Sequence, residues 1–94
     1  MIDNAERITR MRAALQALRP AVLAITDDSH RHVGHEGARD GRGHFSVDIV
    51  SEDFAGLAPL ARHRRVYAAL GEMMQTDIHA LQIRAMTPAE ASSR

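Results

Sequence analysis

The chain has 94 residues, with twelve basic side chains balanced by twelve acidic ones and no cysteine. A formal charge of zero excludes a global field that would draw the protein onto nucleic acid or anionic lipid. The absence of thiols excludes disulfides, thiolate catalysis and a self-contained thiolate metal site.

The length and composition predict one globular domain over residues 1–94. Hydrophobic residues make up 45% and charged residues 26% of the chain, which is typical of a folded domain. We find no signal-peptide pattern and no apolar run long enough to span a membrane. A cytoplasmic protein without membrane association is therefore expected.

The amino-terminal part is predicted to form a helix followed by a strand. Asp3 or Asn4 can cap the helix, and Pro20 ends it. One apolar stripe recurs along this helix at intervals of three to four residues and comprises Ile8, Met11, Leu15 and Leu18. The short segment from Ala21 to Thr26 suits a first strand.

The segment from His30 to Gly43 is predicted to be a loop. It contains four glycines, lacks apolar periodicity and reads H-R-H-V-G-H-E-G-A-R-D-G-R-G. We expect Val33 to Gly43 to be the least ordered internal part. His30, His32 and His35 have a spacing that is plausible for metal binding, although histidines in such loops are commonly only solvated.

The segment from His44 to Ser51 alternates between apolar and polar residues, which predicts a second, antiparallel strand. Phe45, Val47 and Ile49 are expected to face inward, whereas His44 is expected on the outer, exposed face. A turn at residues 51–56 follows.

The longest helix is predicted to begin at Pro59 and to end near Thr76. Its expected inner face comprises Leu60, His63, Val66, Tyr67, Leu70, Met73 and Met74. Arg62, Arg64 and Arg65 form a basic group on this helix. The group is either a solvated face or a binding surface for partner carboxylates or DNA phosphates.

The last strand is predicted from Ile78 to Pro88. Alternation places His79 in the same row as Leu81, Ile83 and Ala85, so that an imidazole begins an otherwise apolar row. Such a histidine is either a partly buried side chain whose hydrogen bonds are satisfied or a metal ligand. A polar tail from about residue 89 is expected to fray.

Helix, strand, strand, helical turn, helix and strand in this order predict an α+β domain with αββααβ topology. The helices should pack on one face of a three-stranded mixed sheet. Asp27, Ser29 and His30 are neighbours in the chain, which is no evidence for a catalytic triad. No phosphate-cradling glycine motif follows a strand, so we do not expect an enzyme.

Motifs along nearly the whole chain resemble those of the BolA family. They are D-D-S-H-R-H at 27–32, H-F at 44–45, V-S-x-x-F-x-G at 50–56, R-H-R-x-V-Y at 62–67 and I-H-A-L at 78–81. The resemblance implies a fold similar to the second class of K-homology (KH) domains. It also implies association with a monothiol glutaredoxin, with which family members share a 2Fe-2S cluster in iron-sulfur cluster trafficking or iron sensing.

By the same resemblance, His79 and one loop histidine are the expected ligands. Counting forward from D-D-S selects His32, whereas counting back from H-F selects His35. The glutaredoxin and its glutathione would supply the sulfur that this chain lacks. We therefore expect a monomer without cofactor when alone, and a heterodimer when the partner and cluster are bound.

A DNA-binding regulator is the alternative that the resemblance also implies, with Arg62, Arg64 and Arg65 as the contact group. The turn from Phe54 to Leu57 lacks the G-x-x-G of nucleic-acid-binding KH domains. The aromatic residues Phe45, Phe54 and Tyr67 are expected to be buried, which leaves no stacking platform.

Overall fold

The computed structural model describes residues 3–29 and 42–93. The main elements in chain order are α1 (Asn4–Leu15), β1 (Val22–Asp27), β2 (Gly43–Val50), α2 (Pro59–Leu70), α3 (Met73–Thr76), β3 (Ile78–Met86) and α4 (Pro88–Ser92). Short 3-10 turns follow α1 at Gln16–Leu18 and β2 at Glu52–Phe54. The predicted α+β architecture is confirmed. The expectation that Val33 to Gly43 is the least ordered segment falls outside the described residues, except at Arg42 and Gly43.

The three strands form one mixed sheet with β2 in the centre. β1 pairs with β2 in antiparallel orientation, from Val22 opposite Val50 to Asp27 opposite Phe45. β2 pairs with β3 in parallel orientation, so the beginnings of these two strands lie together at one edge of the sheet. This edge carries His44 and His79.

The core lies between the inner face of the sheet and the helices. Asp3 caps α1, since its side chain accepts a hydrogen bond from the Glu6 backbone N–H. The apolar stripe predicted for this helix is confirmed. The contiguous core cluster of buried apolar side chains comprises Met11, Leu15, Leu18, Phe45, Val47, Ile49, Phe54, Val66, Leu70 and Ile78.

The helix predicted from Pro59 to Thr76 is interrupted. Gly71 has a φ of 57° and follows the last residue of α2, and its N–H donates to the Tyr67 carbonyl over 2.9 Å. This positive φ is one that glycine adopts readily, and the chain leaves the helix at this residue. The remaining residues form the separate short helix α3, which brings the chain back to the beginning of β3.

Two side chains assigned to the inner face of the long helix are exposed instead. Leu60 is 62% and Tyr67 40% exposed, whereas Val66 and Leu70 are buried. At 3.6 residues per turn, Leu60 and Tyr67 lie roughly 80 to 100° around the helix from the line through Val66 and Leu70. The expectation that Tyr67 is buried was therefore wrong.

The carboxyl-terminal residues form a helix where we expected a frayed polar tail. Thr87 caps α4 by accepting from the Glu90 N–H, and the Glu90 side chain accepts from the Thr87 N–H in return. This capping box satisfies backbone donors that a short helix otherwise leaves open. None of the helices within the described ranges is long and apolar enough to span a membrane.

Candidate metal centre at the beginning of β3

A β-bulge sets the orientation of His79. Gly43 pairs with Ile78 and His44 pairs with Ala80, so His79 is the extra residue on β3. Ile78 is buried and His79 is exposed. The predicted row was therefore wrong for His79, because the bulge shifts the alternation by one residue and turns its side chain outward.

His44 is buried, with 6% of its surface exposed, although we expected it on an exposed face. β2 is the central strand, so the outward side chain of His44 is flanked by groups from both neighbours. One of these is the ring of His79, whose centroid lies 5.1 Å from that of His44 at a tilt of 53°. Two imidazoles therefore meet at this edge, one inside and one at the surface.

The D-D-S motif holds the end of β1 against His44. The Asp28 N–H donates to the His44 carbonyl over 2.8 Å, and the His44 N–H donates to the Ser29 hydroxyl over 2.9 Å. Ser29 is further fixed by a 2.9 Å bond from its own N–H to the Asp27 carboxylate. Residue 29, the last described one before the 30–41 segment, thus lies beside the histidine pair.

Arg42 is the first described residue after that segment, and it lies against His79. One guanidinium nitrogen is 3.2 Å from the His79 Nδ1, and the other donates to the Gln75 carbonyl over 3.2 Å. Sequence reasoning did not single out Arg42. The signal that could have found it is the parallel pairing of β2 with β3, which places the residue before β2 beside the beginning of β3.

The segment from 30 to 41 therefore leaves and re-enters the described structure at the same edge as His79. His30, His32 and His35 lie outside the described residues, so the loop ligand stays a prediction. Across residues 3–29 and 42–93, no group of three or more His, Cys, Asp or Glu side chains is assembled that could hold a metal ion.

Polar side chains of helix α1 hold the backbone that precedes His79. Arg7 Nε lies 3.3 Å from an Asp77 carboxylate oxygen, and these side chains are 11% and 9% exposed. The Asp77 carbonyl accepts from the Gly43 N–H over 2.9 Å. Asn4 donates to the Asp27 carboxylate over 3.1 Å. This polar network, which sequence reasoning missed, ties the end of β1 and the beginnings of β2 and β3 to α1.

The basic group on α2 divides into two parts. The Arg62 side chain is 12% exposed, and it donates to the Leu57 carbonyl over 2.8 Å and to the Ala85 carbonyl over 3.1 Å. It also forms a bidentate pair with Glu90 over 2.6 and 3.0 Å. Arg64 and Arg65, by contrast, are exposed.

The arginines around this helix lower the pKa values of two carboxyl groups. The hydrogen bond from Arg62, supported by the Thr87 N–H, lowers the pKa of Glu90 to about 2. The hydrogen bond from Arg19 lowers the pKa of Asp53, and the charge of Arg65 adds to this effect. Arg62 is therefore engaged within the fold, whereas Arg65 contributes its charge at the surface.

Comparison with known proteins gives a match to one family. The model of the family described as "BolA-like protein" matches residues 15–90. The curated protein "BOLA1, chloroplastic" of Arabidopsis thaliana is 45% identical over 97 residues, which cover 99% of this chain and 59% of the relative. The chain spans 53 to 59% of the length of the first four curated relatives that it matches.

A solved structure and a further curated protein are also similar to this chain. The solved structure of the BolA domain of SufE1 from Arabidopsis thaliana superposes with a TM-score of 0.79 at 40% identity, covering 89% of this chain and 94% of that one. The protein of Haemophilus influenzae named "DNA-binding transcriptional regulator BolA" is 39% identical over 71 residues, covering 76% of this chain and 66% of the relative.

Proposed function

This chain belongs to the BolA family, and on that premise we propose that it is an adaptor that binds a monothiol glutaredoxin. The two proteins together hold a bridging 2Fe-2S cluster, to which this chain contributes histidine ligands. Its role is in iron-sulfur cluster assembly or trafficking, or in iron sensing, and not in catalysis. We place it in the cytoplasm, although the Arabidopsis relative is named chloroplastic.

One observation carries this proposal: His79 is exposed at a bulge, at the edge where the histidine-bearing segment begins and ends. A ligand in a closed interior could not reach a cluster shared with a second protein. β-bulges next to functional sites commonly re-aim a side chain in this way. The backbone at His79 is also held in place, because the Arg7–Asp77 ion pair fixes the residues just before it.

The donor set fits one half of a shared cluster. Neutral imidazole binds iron and replaces thiolate on one iron of Rieske-type centres. His79 and either His32 or His35 would provide such nitrogen ligands, and cysteine and glutathione thiolates of the partner would complete the site. When bound, the cluster supplies a transferable iron-sulfur unit with a higher reduction potential than an all-thiolate one.

The test is to mix this chain with a monothiol glutaredoxin, glutathione and cluster, and to record visible absorption and circular dichroism. A bridged complex should show a spectrum different from that of the glutaredoxin alone. His79→Ala should abolish the difference, and His63→Ala on the half-buried face of α2 is the matched control. A spectrum that His79→Ala leaves unchanged contradicts the ligand assignment. His32→Ala and His35→Ala, compared in the same assay, identify the loop ligand.

A DNA-binding regulator is the second candidate, and the exposed part of α2 favours it. Arg64 and Arg65 are at the surface, and Tyr67 is 40% exposed and available for stacking. The Haemophilus relative is named for this activity. Binding to DNA should then weaken steeply with salt. The double variant Arg64→Ala/Arg65→Ala should remove it, whereas Arg10→Ala/Arg12→Ala on α1 should not.

A further inference from the structure

The contact between Arg42 and His79 constrains the protons of the imidazole. A guanidinium has five N–H donors and no acceptor, so the His79 Nδ1 at 3.2 Å must accept the hydrogen bond. A neutral imidazole with an accepting Nδ1 carries its proton on Nε2. Neither ring nitrogen is therefore ready to bind iron while Arg42 stays in place.

Arg42 is held in this position by a second bond. Its other terminal nitrogen donates to the Gln75 carbonyl over 3.2 Å, in the last turn of α3. Carbonyls at the end of a helix lack intrahelical partners and attract a cationic donor. The guanidinium thus bridges the end of α3 and the exposed ring of His79.

We infer that Arg42 is a positioning residue. Its guanidinium holds the His79 ring in the free protein and must move away before the ring can bind a metal. This inference rests on the proposed function, since it concerns the same ligand. Binding through Nδ1 needs the lone pair that Arg42 occupies. Binding through Nε2 requires the Nε2 proton to move to Nδ1 or to solvent. A proton on Nδ1 would then face the N–H groups of Arg42, which can only donate.

A purely structural role for Arg42 would look different. If its role were limited to tying residue 42 to β3, loss of the guanidinium would alter stability and leave the proton distribution of His79 unchanged. The block instead predicts a change in tautomer and in the rate of ligation. Both can be measured without reference to overall stability.

The first experiment uses the free protein and two-dimensional ¹⁵N–¹H correlation spectra of the histidine side chains at a pH where the rings are neutral. Wild-type His79 should show the Nε2–H tautomer with Nδ1 as acceptor. Arg42→Ala should shift its Nδ1 and Nε2 resonances towards a mixed population, and Arg10→Ala should leave them unchanged. Identical His79 tautomers in wild type and Arg42→Ala overturn the inference.

The second experiment follows the rate at which the coloured complex forms with a cluster-loaded monothiol glutaredoxin. Arg42→Ala should speed the His79-dependent phase several-fold. Arg42→Lys, whose ammonium also only donates, should fall between the two. Equal rates in wild type and Arg42→Ala overturn the inference while leaving the proposed function intact. If neither wild type nor Arg42→Ala forms a His79-dependent complex, the proposed function is overturned. The release step then falls with it, even when the first experiment shows the tautomer shift.

Discussion

The rings of His44 and His79 lie 5.1 Å apart, yet His44 is buried and His79 is exposed. The bulge between their strands produces this difference, because it places His79 outside the regular pairing of Gly43 with Ile78 and of His44 with Ala80. The two histidines are thus neighbours in different environments: His44 is packed inside the fold, and His79 is exposed at the surface.

The difference in burial predicts effects of different size on the free energy of unfolding. His44→Ala should lower the free energy of unfolding by about 1–3 kcal/mol, because it removes a buried side chain and leaves a cavity. His79→Ala should change it by less than about 0.5 kcal/mol, as is usual for an exposed position. Urea unfolding of the free protein measures both. A large loss of stability in His79→Ala would mean that this ring serves the fold.

Gly43 begins β2 at a point where no side chain fits. A Cβ atom there would lie 2.5 Å from Cε2 and 2.6 Å from Cζ of Phe45, and this ring is only 1% exposed. Gly43→Ala should therefore destabilise the fold by about 1–3 kcal/mol through overpacking. The combined variant Gly43→Ala/Phe45→Leu should lose less stability than the two single variants together. Additive losses would contradict the steric explanation.

Arg62 and Arg64 should behave differently although both are arginines on α2. Arg62→Ala removes the donor to the Leu57 and Ala85 carbonyls and to Glu90, and should cost about 1.5–3 kcal/mol of unfolding free energy. Arg64→Ala should be nearly neutral because its side chain is exposed. Thermal or urea unfolding of the matched pair is the measurement. Equal stabilities of the two variants would show that the Arg62 bonds contribute little.

The Arg62–Glu90 pair predicts how acid affects α4. The pKa of Glu90 is lowered to about 2 in the fold. The ion pair therefore stabilises the protein at pH values above the ordinary glutamate pKa of 4.5. This stabilisation should weaken as the pH falls below about 4.5 and disappear as it passes through about 2. The stability difference between wild type and Glu90→Gln should therefore be constant from pH 7 to 5 and vanish in strong acid. A Glu90 titration midpoint near 4.5 by carboxyl NMR would contradict this.

The regular parts of the fold were predictable because they follow hydrophobic periodicity. The stripe through Met11 and Leu15 predicts α1, and the alternation from Phe45 to Ile49 predicts β2. The break at Gly71 was missed because one glycine inside a helical pattern is often tolerated, and its positive φ does not show in the sequence. The helix α4 was missed because its local signal, the Thr87–Glu90 capping box, is short and lies in a polar tail, and the Arg62 partner of Glu90 is distant in sequence.

The sequence offered candidate residues for the site but could not give their geometry. I-H-A-L identified His79 by resemblance, but the register shift that turns this ring outward is a property of the β2–β3 pairing. Arg42 joins the site for the same reason, since tertiary pairing brings it to β3. The assignment of Arg62 to a binding surface could not anticipate that its guanidinium reaches Ala85 and Glu90, which are distant in sequence.

The most direct measurement of the central claim is the hyperfine spectrum of the reduced cluster in the complex with the glutaredoxin. This chain is labelled with ¹⁵N-histidine and the partner is left unlabelled. We predict ¹⁵N couplings typical of iron-bound imidazole, one of which is lost in His79→Ala. A cluster that shows no ¹⁵N coupling, or the same couplings in His79→Ala, would contradict the claim that His79 binds the shared iron.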